Sequence, residues 1–495
     1  MAAYARLCPA RLGFGTVALA LSLGTPVATA QQPAFPGAEG AGKFASGGRG
    51  TAAVPTTVFE VSRLADDGAP GSLRYALTQP AAARTVVFRV CGTIHLLKPL
   101  RIPANTTLAG QTAPGEGICL ADRPVSIGGD NVVVRFLRFR LGDRYQNGGR
   151  VDGSGHDDAL GSYQHRRILL DHCSVSWSTD EALSVYAGDS TTVQWCLISE
   201  PLNYSYHYET GAPDFQQHGY GGIWGGRRAS FHHNLFAHCQ GRNPRFDGSL
   251  NLPPGPAGPE TCDFRNNVIY NWGAYTIDGG AGGQYNLVNN YYKPGPSTSK
   301  GSKSGVPRRA EIIQADRGTK QPPLPYGRYF LRGNYVEGAP AVSRRNWLGA
   351  AMSGGSLADT ARAQAAAPFD VPPVPTETAA QAYAAVLQHV GCVLPARDTL
   401  DQRIIRDVLN GTGRLIDVQG GYPHGTPYAV SQSAWPVLRC GPAPADTDHD
   451  GMPDSWEKAH QLNLRDAADR SRPGPDGYTA LEQYLNSLVR LPPAQ

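Results

Sequence analysis

Three groups of residues in this chain have types and spacings that could do chemistry. The sharpest is Asp446-Thr447-Asp448-His449-Asp450-Gly451-Met452-Pro453-Asp454-Ser455-Trp456-Glu457, which fits the pattern D-x-D-x-D-G-x5-E. Asp446, Asp448 and Asp450 offer carboxylate oxygens at alternate positions, and Gly451 allows the sharp turn. Met452 would add a backbone carbonyl, Asp454 a contact through water, and Glu457 a bidentate carboxylate. This is a calcium loop of the EF-hand type. The later run Asp476 to Glu482 resembles half of a second loop but lacks the carboxylates of a site. The second group is acidic and lies mid-chain: His156-Asp157-Asp158, then Thr179-Asp180-Glu181. The third is Arg242-Asn243-Pro244-Arg245, two cations held apart by a residue and a proline. Carboxylates holding calcium beside an arginine could bind an acidic sugar and labilise the proton next to its carboxylate. That requires Asp158, Asp180 and Arg242 to reach one face from adjacent turns of a repetitive scaffold.

The sequence carries such a scaffold. A pattern of apolar, two residues, Asn or Cys, one residue, apolar recurs. It reads Leu170-x-x-Cys173-x-Val175, Val193-x-x-Cys196-x-Ile198, Phe231-x-x-Asn234-x-Phe236, Phe264-x-x-Asn267-x-Ile269, Leu287-x-x-Asn290-x-Tyr292 and Leu331-x-x-Asn334-x-Val336. Val134-x-x-Leu137-x-Phe139 fits as an earlier copy. The slot residues lie 36, 23, 38, 33, 23 and 44 positions apart, so the motif is constant while the intervals vary. Solenoid turns with a common core and loops of different length behave this way. A buried Asn in each turn must satisfy its amide, and stacked rungs about 4.8 Å apart allow each amide to bond to the next. The expected fold is all-β, a right-handed parallel β-helix with a small helical, calcium-binding C-terminal extension. Cys173 and Cys196 occupy one slot in consecutive copies, as a disulfide or as two buried thiols.

Arg6 and Arg11, the apolar run Val17 to Leu23 and the Ala28-Thr29-Ala30 cleavage site read residues 1–30 as a secretory signal. The mature protein is expected to be secreted, extracellular or periplasmic, with no membrane span and as a monomer. Losing Arg6 and Arg11 lowers the net charge from +4 to +2, so global charge does not argue for nucleic acid. Eight cysteines remain, compatible with disulfides of undeducible pairing. None forms a CxxC pair, which argues against a zinc site. The 59 glycines and 40 prolines indicate strands and turns.

Residues 31–350 are expected to form the β-helix, with the Gly-rich segment 35–50 and a Ser72-capped helix as its N-terminal cap. Residues 351–378, rich in Ala, Pro, Gly and Ser, read as a linker. Residues 379–440 carry helical periodicity, and residues 441–495 form the calcium-binding tail.

GHDDALGSYQHRRILLDHCSVSWSTDEALSV followed by HHNLFAHCQGRNPRFDG resembles the pectate lyase family over roughly residues 35–340. The resemblance implies a parallel β-helix and calcium-dependent β-elimination of polygalacturonate, an acidic polysaccharide. It implies that Arg242 takes the C5 proton and that Arg245 holds a substrate carboxylate. It implies that Asp158 binds Ca2+, with Asp157 or His156 beside a second ligand, and that Asp180 is the ligand of the next turn. This chain departs from the pattern in three places. Ser184 stands where a further Asp is expected. Leu202 or Asn203 stands where a lysine is expected, and Asp247 where a second arginine is. An inserted loop, Asn203 to Gly226, carries His207 and His218, and His218 is assigned to substrate binding. Arginine has a pKa above about 12. As a base, Arg242 would need Arg245, calcium and desolvation to act together on it. Two rival readings remain: a glycoside hydrolase using Asp157, Asp158 and Asp180, and a non-catalytic carbohydrate-binding solenoid.

Overall fold

Each copy of the repeat occupies a corner between two strands. The first apolar residue of the motif is the last but one of a strand of one face, and these residues pair in register down the solenoid: Val193 with Phe231, Phe231 with Phe264, Phe264 with Leu287, Leu287 with Leu331. The last apolar residue stacks likewise on a second face, from Ile198 through Phe236, Ile269 and Tyr292 to Val336. All of these stacking pairings are parallel, so the chain is a parallel β-helix. The computed structural model describes residues 1–2, 31–51, 53–144, 157–207, 215–253, 258–318 and 323–490. Residues 3–30 of the leader and His156 lie outside the described residues. Gln32–Gln495 form one unit.

The residue before each slot must turn the chain, and it sits in the left-handed region. Phe136, His172, Trp195, His233, Asn266 and Asn289 all have φ between 53° and 56°. Outside this corner their rings stack, His172 on Phe136 at 4.8 Å and His233 on Trp195 at 4.3 Å. Inside it runs the amide ladder. Asn234 donates from its backbone and side chain to Asn267 Oδ1 at 2.9 and 3.0 Å, Asn267 to Asn290 Oδ1 at 2.9 and 3.1 Å, and Asn290 to Asn334 Oδ1 at 3.0 and 2.9 Å. Asn346, which lies outside the repeat, accepts from Asn334 and closes the ladder. Cys173 and Cys196 are buried free thiols.

A third face positions the site. It contains Val125–Ile127, Leu160–Tyr163, the first half of Leu183–Gln194, Ile223–Gly226, Arg245–Phe246, Ile277–Gly279 and Ile313–Ala315. Alternation along these strands buries Leu160, Leu183, Val185, Trp224, Phe246, Ile277 and Ile313. It turns Ser126, Gly161, Ser184, Ile223, Arg245 and Asp278 to the other side. Each large apolar side chain buried this way contributes about 1.5–3 kcal/mol.

The N-terminal end is capped by the helix Leu73–Thr78, whose Ser72 side chain accepts from Tyr75 N and whose Leu73, Ala76 and Leu77 join the core. The stretch 351–378, read from composition as a linker, is laid against the solenoid instead. Met352 belongs to a strand pairing with Ala315. Phe369 exchanges backbone bonds with the Asn286 amide, and the Glu377 carbonyl accepts from Asn266 and Asn289. Ala, Pro and Gly give no sign of this because the contacts are made by the segment's backbone to asparagines elsewhere.

Helices Ala379–His389 and Thr399–Asn410 bury Val386, Leu387, Ile404 and Val408 against the outer side of the second face, at Leu197, Leu235 and Val268. A fully buried ion network adds to the seam: Arg140 reaches Asp398 at 2.6 Å and Asp401 at 2.8 Å. The tail returns to the N-terminal rungs. Met452, Leu481, Tyr484 and Leu485 pack on Val87 and Ala109, and a disulfide joins Cys91 to Cys440 with Cα atoms 5.4 Å apart. Among the described residues no helix is long and apolar enough to cross a membrane.

Candidate active site

The acidic residues and Arg242 sit in turns that enter the third face, so solenoid stacking brings them together across gaps of more than sixty residues. Glu181 bridges to Tyr220 and Tyr220 to Gly241, rung over rung. Above this row opens a cleft of about 450 Å³, lined by Asp157, Asp158, Asp180, Glu181, Ser184, Tyr186, His207, His218 and Arg242 among others. Asp158, Asp180 and Glu181 offer carboxylate oxygens within 4.8 Å of one another, and Asp158 Oδ1 accepts from Glu181 N at 3.1 Å. Arg242 crosses two rungs to pair with Glu181. Its guanidinium carbon lies 4.3 Å from the Tyr220 ring centroid, a cation–π contact that fixes the plane of the head group. Arg242 has φ 51°, an uncommon conformation for a residue with a Cβ.

The electrostatics are those of crowded carboxylates. Burial, then the charge of Asp180, raises the Asp158 carboxyl well above its ordinary range, against a hydrogen bond from Ser184. Burial also acts to raise Asp180, but the hydrogen bond and charge of His218, followed by His207 and Arg242, outweigh it and hold Asp180 low. His218 Nε2 lies 2.5 Å from Asp180 Oδ1. A cation among these oxygens would reverse the penalty on Asp158, so the donor set fits calcium. Asp157 lines the same cleft. Ser184 lies in it too, and its hydroxyl accepts from Ile223 N at 3.3 Å.

Arg245 does not line that cleft. It sits one rung further along the outward row, pairs with Asp278 and lies 3.7 Å from Asp316. Burial raises the Asp278 carboxyl to about 6 despite Arg245 beside it.

The C-terminal loop forms a second acidic centre. Asp446, Asp448 and Asp450 converge, and Asp450 with Glu457 meets Asp469. Asp446 Oδ1, both oxygens of Asp448, Asp450 Oδ2, both oxygens of Glu457 and Asp469 Oδ1 are buried with no hydrogen-bond donor. Burial, followed by neighbouring carboxylates, raises Asp450 to about 8 and Glu457 to about 7. Orphaned buried oxygens in that number fit a hard divalent cation. Met452 N donates to Asp450 Oδ1, and the Met452 side chain enters the apolar seam with Val87. Asp454 caps Thr447 through its N and Oγ1 at 2.7 and 2.8 Å, and it is not in the carboxylate groups.

Glu181, Tyr220 and Asp469 join these sites beyond the residues expected from sequence. Glu181 was visible beside Asp180, and Tyr220 as an aromatic in the inserted loop. Asp469, twelve positions after Glu457, carried no signal.

No family model matches the chain. It is 32% identical over 470 residues to "Probable pectate lyase C" of Aspergillus terreus, covering 92% of this chain and 94% of that protein. It is also 32% identical over 478 residues to the "Probable pectate lyase C" of Aspergillus fumigatus, with coverages of 92% and 94%. Among solved structures, the major allergen of cedar pollen, jun a 1, superposes at a TM-score of 0.45 with 15% identity over 72% of this chain and 92% of that one. A likeness at that score adds no argument.

Proposed function

The chain belongs to the pectate lyase family, a group of polysaccharide lyases, and from that premise we propose that it cleaves polygalacturonate by calcium-assisted β-elimination with Arg242 as the base. The observation that carries this reading is the convergence of Asp158, Asp180 and Glu181 on Arg242 in one open cleft. Calcium held by these carboxylates would neutralise the uronate carboxylate and stabilise negative charge developing at C5. Arg242 is held over Tyr220, so its head group, once deprotonated to the neutral guanidine, can take the C5 proton in a defined orientation. As that C–H bond breaks, its proton passes to Arg242 and its electron pair forms the C4–C5 double bond; the C4–O4 bond breaks, and the departing O4 takes up a proton from water in the open cleft. Glu181 is shared between the acidic group and Arg242, so a cation bound there draws its charge away from the guanidinium. Arg245 and Asp278 continue the outward row beyond the cleft, with Asp316 3.7 Å from Arg245, and Arg245 would hold the carboxylate of a further sugar unit. His218 lines the cleft beside Asp180 and would contact substrate there.

The C-terminal loop is assigned to a separate, structural calcium held by Asp446, Asp448, Asp450 and Glu457, with Asp469. The protein is exported through its leader and acts as a monomer, in the medium or the periplasm. Incubation with polygalacturonate tests the catalytic reading. Ultraviolet-absorbing unsaturated products that depend on calcium, and are lost in Arg242→Ala and Asp158→Asn, are expected. New reducing ends without that absorbance would establish a hydrolase and overturn the proposal.

A further inference from the structure

The inserted loop brings two imidazoles to the cleft. Tyr204–Tyr206 and Phe215–Gln217 pair as an antiparallel hairpin, and His207 and His218 each follow one of its strands. His218 N donates to Asn203 O at 2.8 Å, and Tyr206 N donates to Asp143 Oδ2 at 2.7 Å, so both histidines leave an anchored root. Their rings stack 4.0 Å apart. His207 is 1% exposed. Asp180, His207 and His218 each present a ligand atom within 4.8 Å of the other two.

An ion pair with Asp180 needs one imidazole, and this loop supplies two. Imidazole nitrogen is a poor donor for calcium, which takes oxygen, and a good one for zinc, nickel, copper or iron. Two histidines and a carboxylate with an open side form the donor set of a zinc centre that keeps a position for water or substrate. Here the open side is the cleft. Beside it, Ser184 supplies a hydroxyl where the lyase pattern leads one to expect a carboxylate. The cleft therefore trades hard oxygen for nitrogen.

We infer that Asp180, His207 and His218 form a second cation site in the cleft, selective for a divalent d-block metal, sharing Asp180 with the carboxylate group around Asp158. The cysteine spacing that argued against zinc was blind to it, because these donors are histidines on a loop. The site goes beyond the lyase reading and does not depend on it: zinc binding and polygalacturonate cleavage can each fail alone.

The test uses the intact protein stripped with a chelator and titrated calorimetrically with zinc in excess calcium. One zinc per chain is expected. His207→Ala and His218→Ala should each weaken it by about 100-fold or more, beyond the cost of losing an outer-sphere partner. Asp450→Asn, which alters the C-terminal loop, should leave it unchanged. No calcium-resistant zinc in the wild type, or equal zinc affinity in the histidine variants, would overturn the inference. If those variants do not fold, the wild type still decides. Cobalt should give an intense visible absorption band and shift the ring protons of two histidines, and absence of both refutes the site.

Discussion

Arg242 and Glu181 pair across two rungs of the solenoid, with the Arg242 guanidinium 4.3 Å from the Tyr220 ring centroid. Its ion-pair partner is thus a member of the acidic group it would work beside. Arg242→Lys keeps a positive charge but loses the planar, forked head group. It should lower kcat by roughly 10²–10⁴-fold, the range for removing a positioned acid–base group. Circular dichroism and the melting temperature should stay as in the wild type, and wild-type turnover in Arg242→Lys would remove Arg242 from the base role.

The C-terminal carboxylates give a pH dependence whose sign depends on calcium. Asp450 at about 8 and Glu457 at about 7 are raised in the fold, so between the ordinary carboxylate range and pH 8 the folded state binds more protons than the unfolded. Without metal, stability must therefore fall as pH rises through that window. Melting curves in chelator should move to lower temperature from pH 5 to pH 8, and calcium should abolish the decline. In Asp450→Asn the calcium-induced rise in melting temperature should shrink to the part that the cleft carboxylates supply, and Asp450→Asn with Asp158→Asn should abolish it.

His233 gives the opposite slope. Burial, then Arg265 and His172, lowers it to about 3. Below about pH 6.5 the unfolded chain takes up a proton that the folded one refuses, so stability falls as pH drops. Asn occupies the same left-handed corner at Asn266 and Asn289 and does not titrate. His233→Asn should therefore spare the protein roughly 3 kcal/mol of acid destabilisation at pH 4. At neutral pH it should cost about 0.5–1 kcal/mol from the lost Trp195 stack. An unchanged acid slope in denaturant titrations would refute this.

Asn267→Ala should be among the costlier single changes. Its side chain accepts from Asn234 N and Nδ2 and donates to Phe231 O and Asn290 Oδ1. Removing it strands buried groups on both neighbouring rungs, for about 2–4 kcal/mol by urea unfolding. The same change at Asn346, where the ladder ends, strands groups on Asn334 and the Val342 carbonyl but on no second rung, and should cost less.

The Cys91–Cys440 bond ties the start of the tail to an early turn of the solenoid across 349 residues. Cys440→Ser should destabilise by about 2–5 kcal/mol and speed proteolysis of the tail before the solenoid is cut. Identical proteolysis of the two proteins would show that the apolar seam around Leu481 suffices.

The repeat was legible because a solenoid writes its rung into local sequence. Phe231, Asn234 and Phe236 each have one stacking partner above and one below, so the same residue types must recur. The acidic C-terminal loop was legible for the same reason, since Asp446, Asp448, Asp450 and Glu457 come from one short turn. Asp158, Asp180 and Arg242 were readable as a group only once strands were assigned to rungs. Tertiary structure decided the rest. Asp469 enters the tail cluster, Asn346 ends the ladder, Cys440 finds Cys91, and segment 364–378 lies on asparagines nearly a hundred residues earlier. Each of those contacts joins elements with no common period, and nothing local in the chain encodes the distance between them. Arg245 shows the limit most plainly: three residues from Arg242, it faces Asp278 on the next rung, because the third-face strand begins between them.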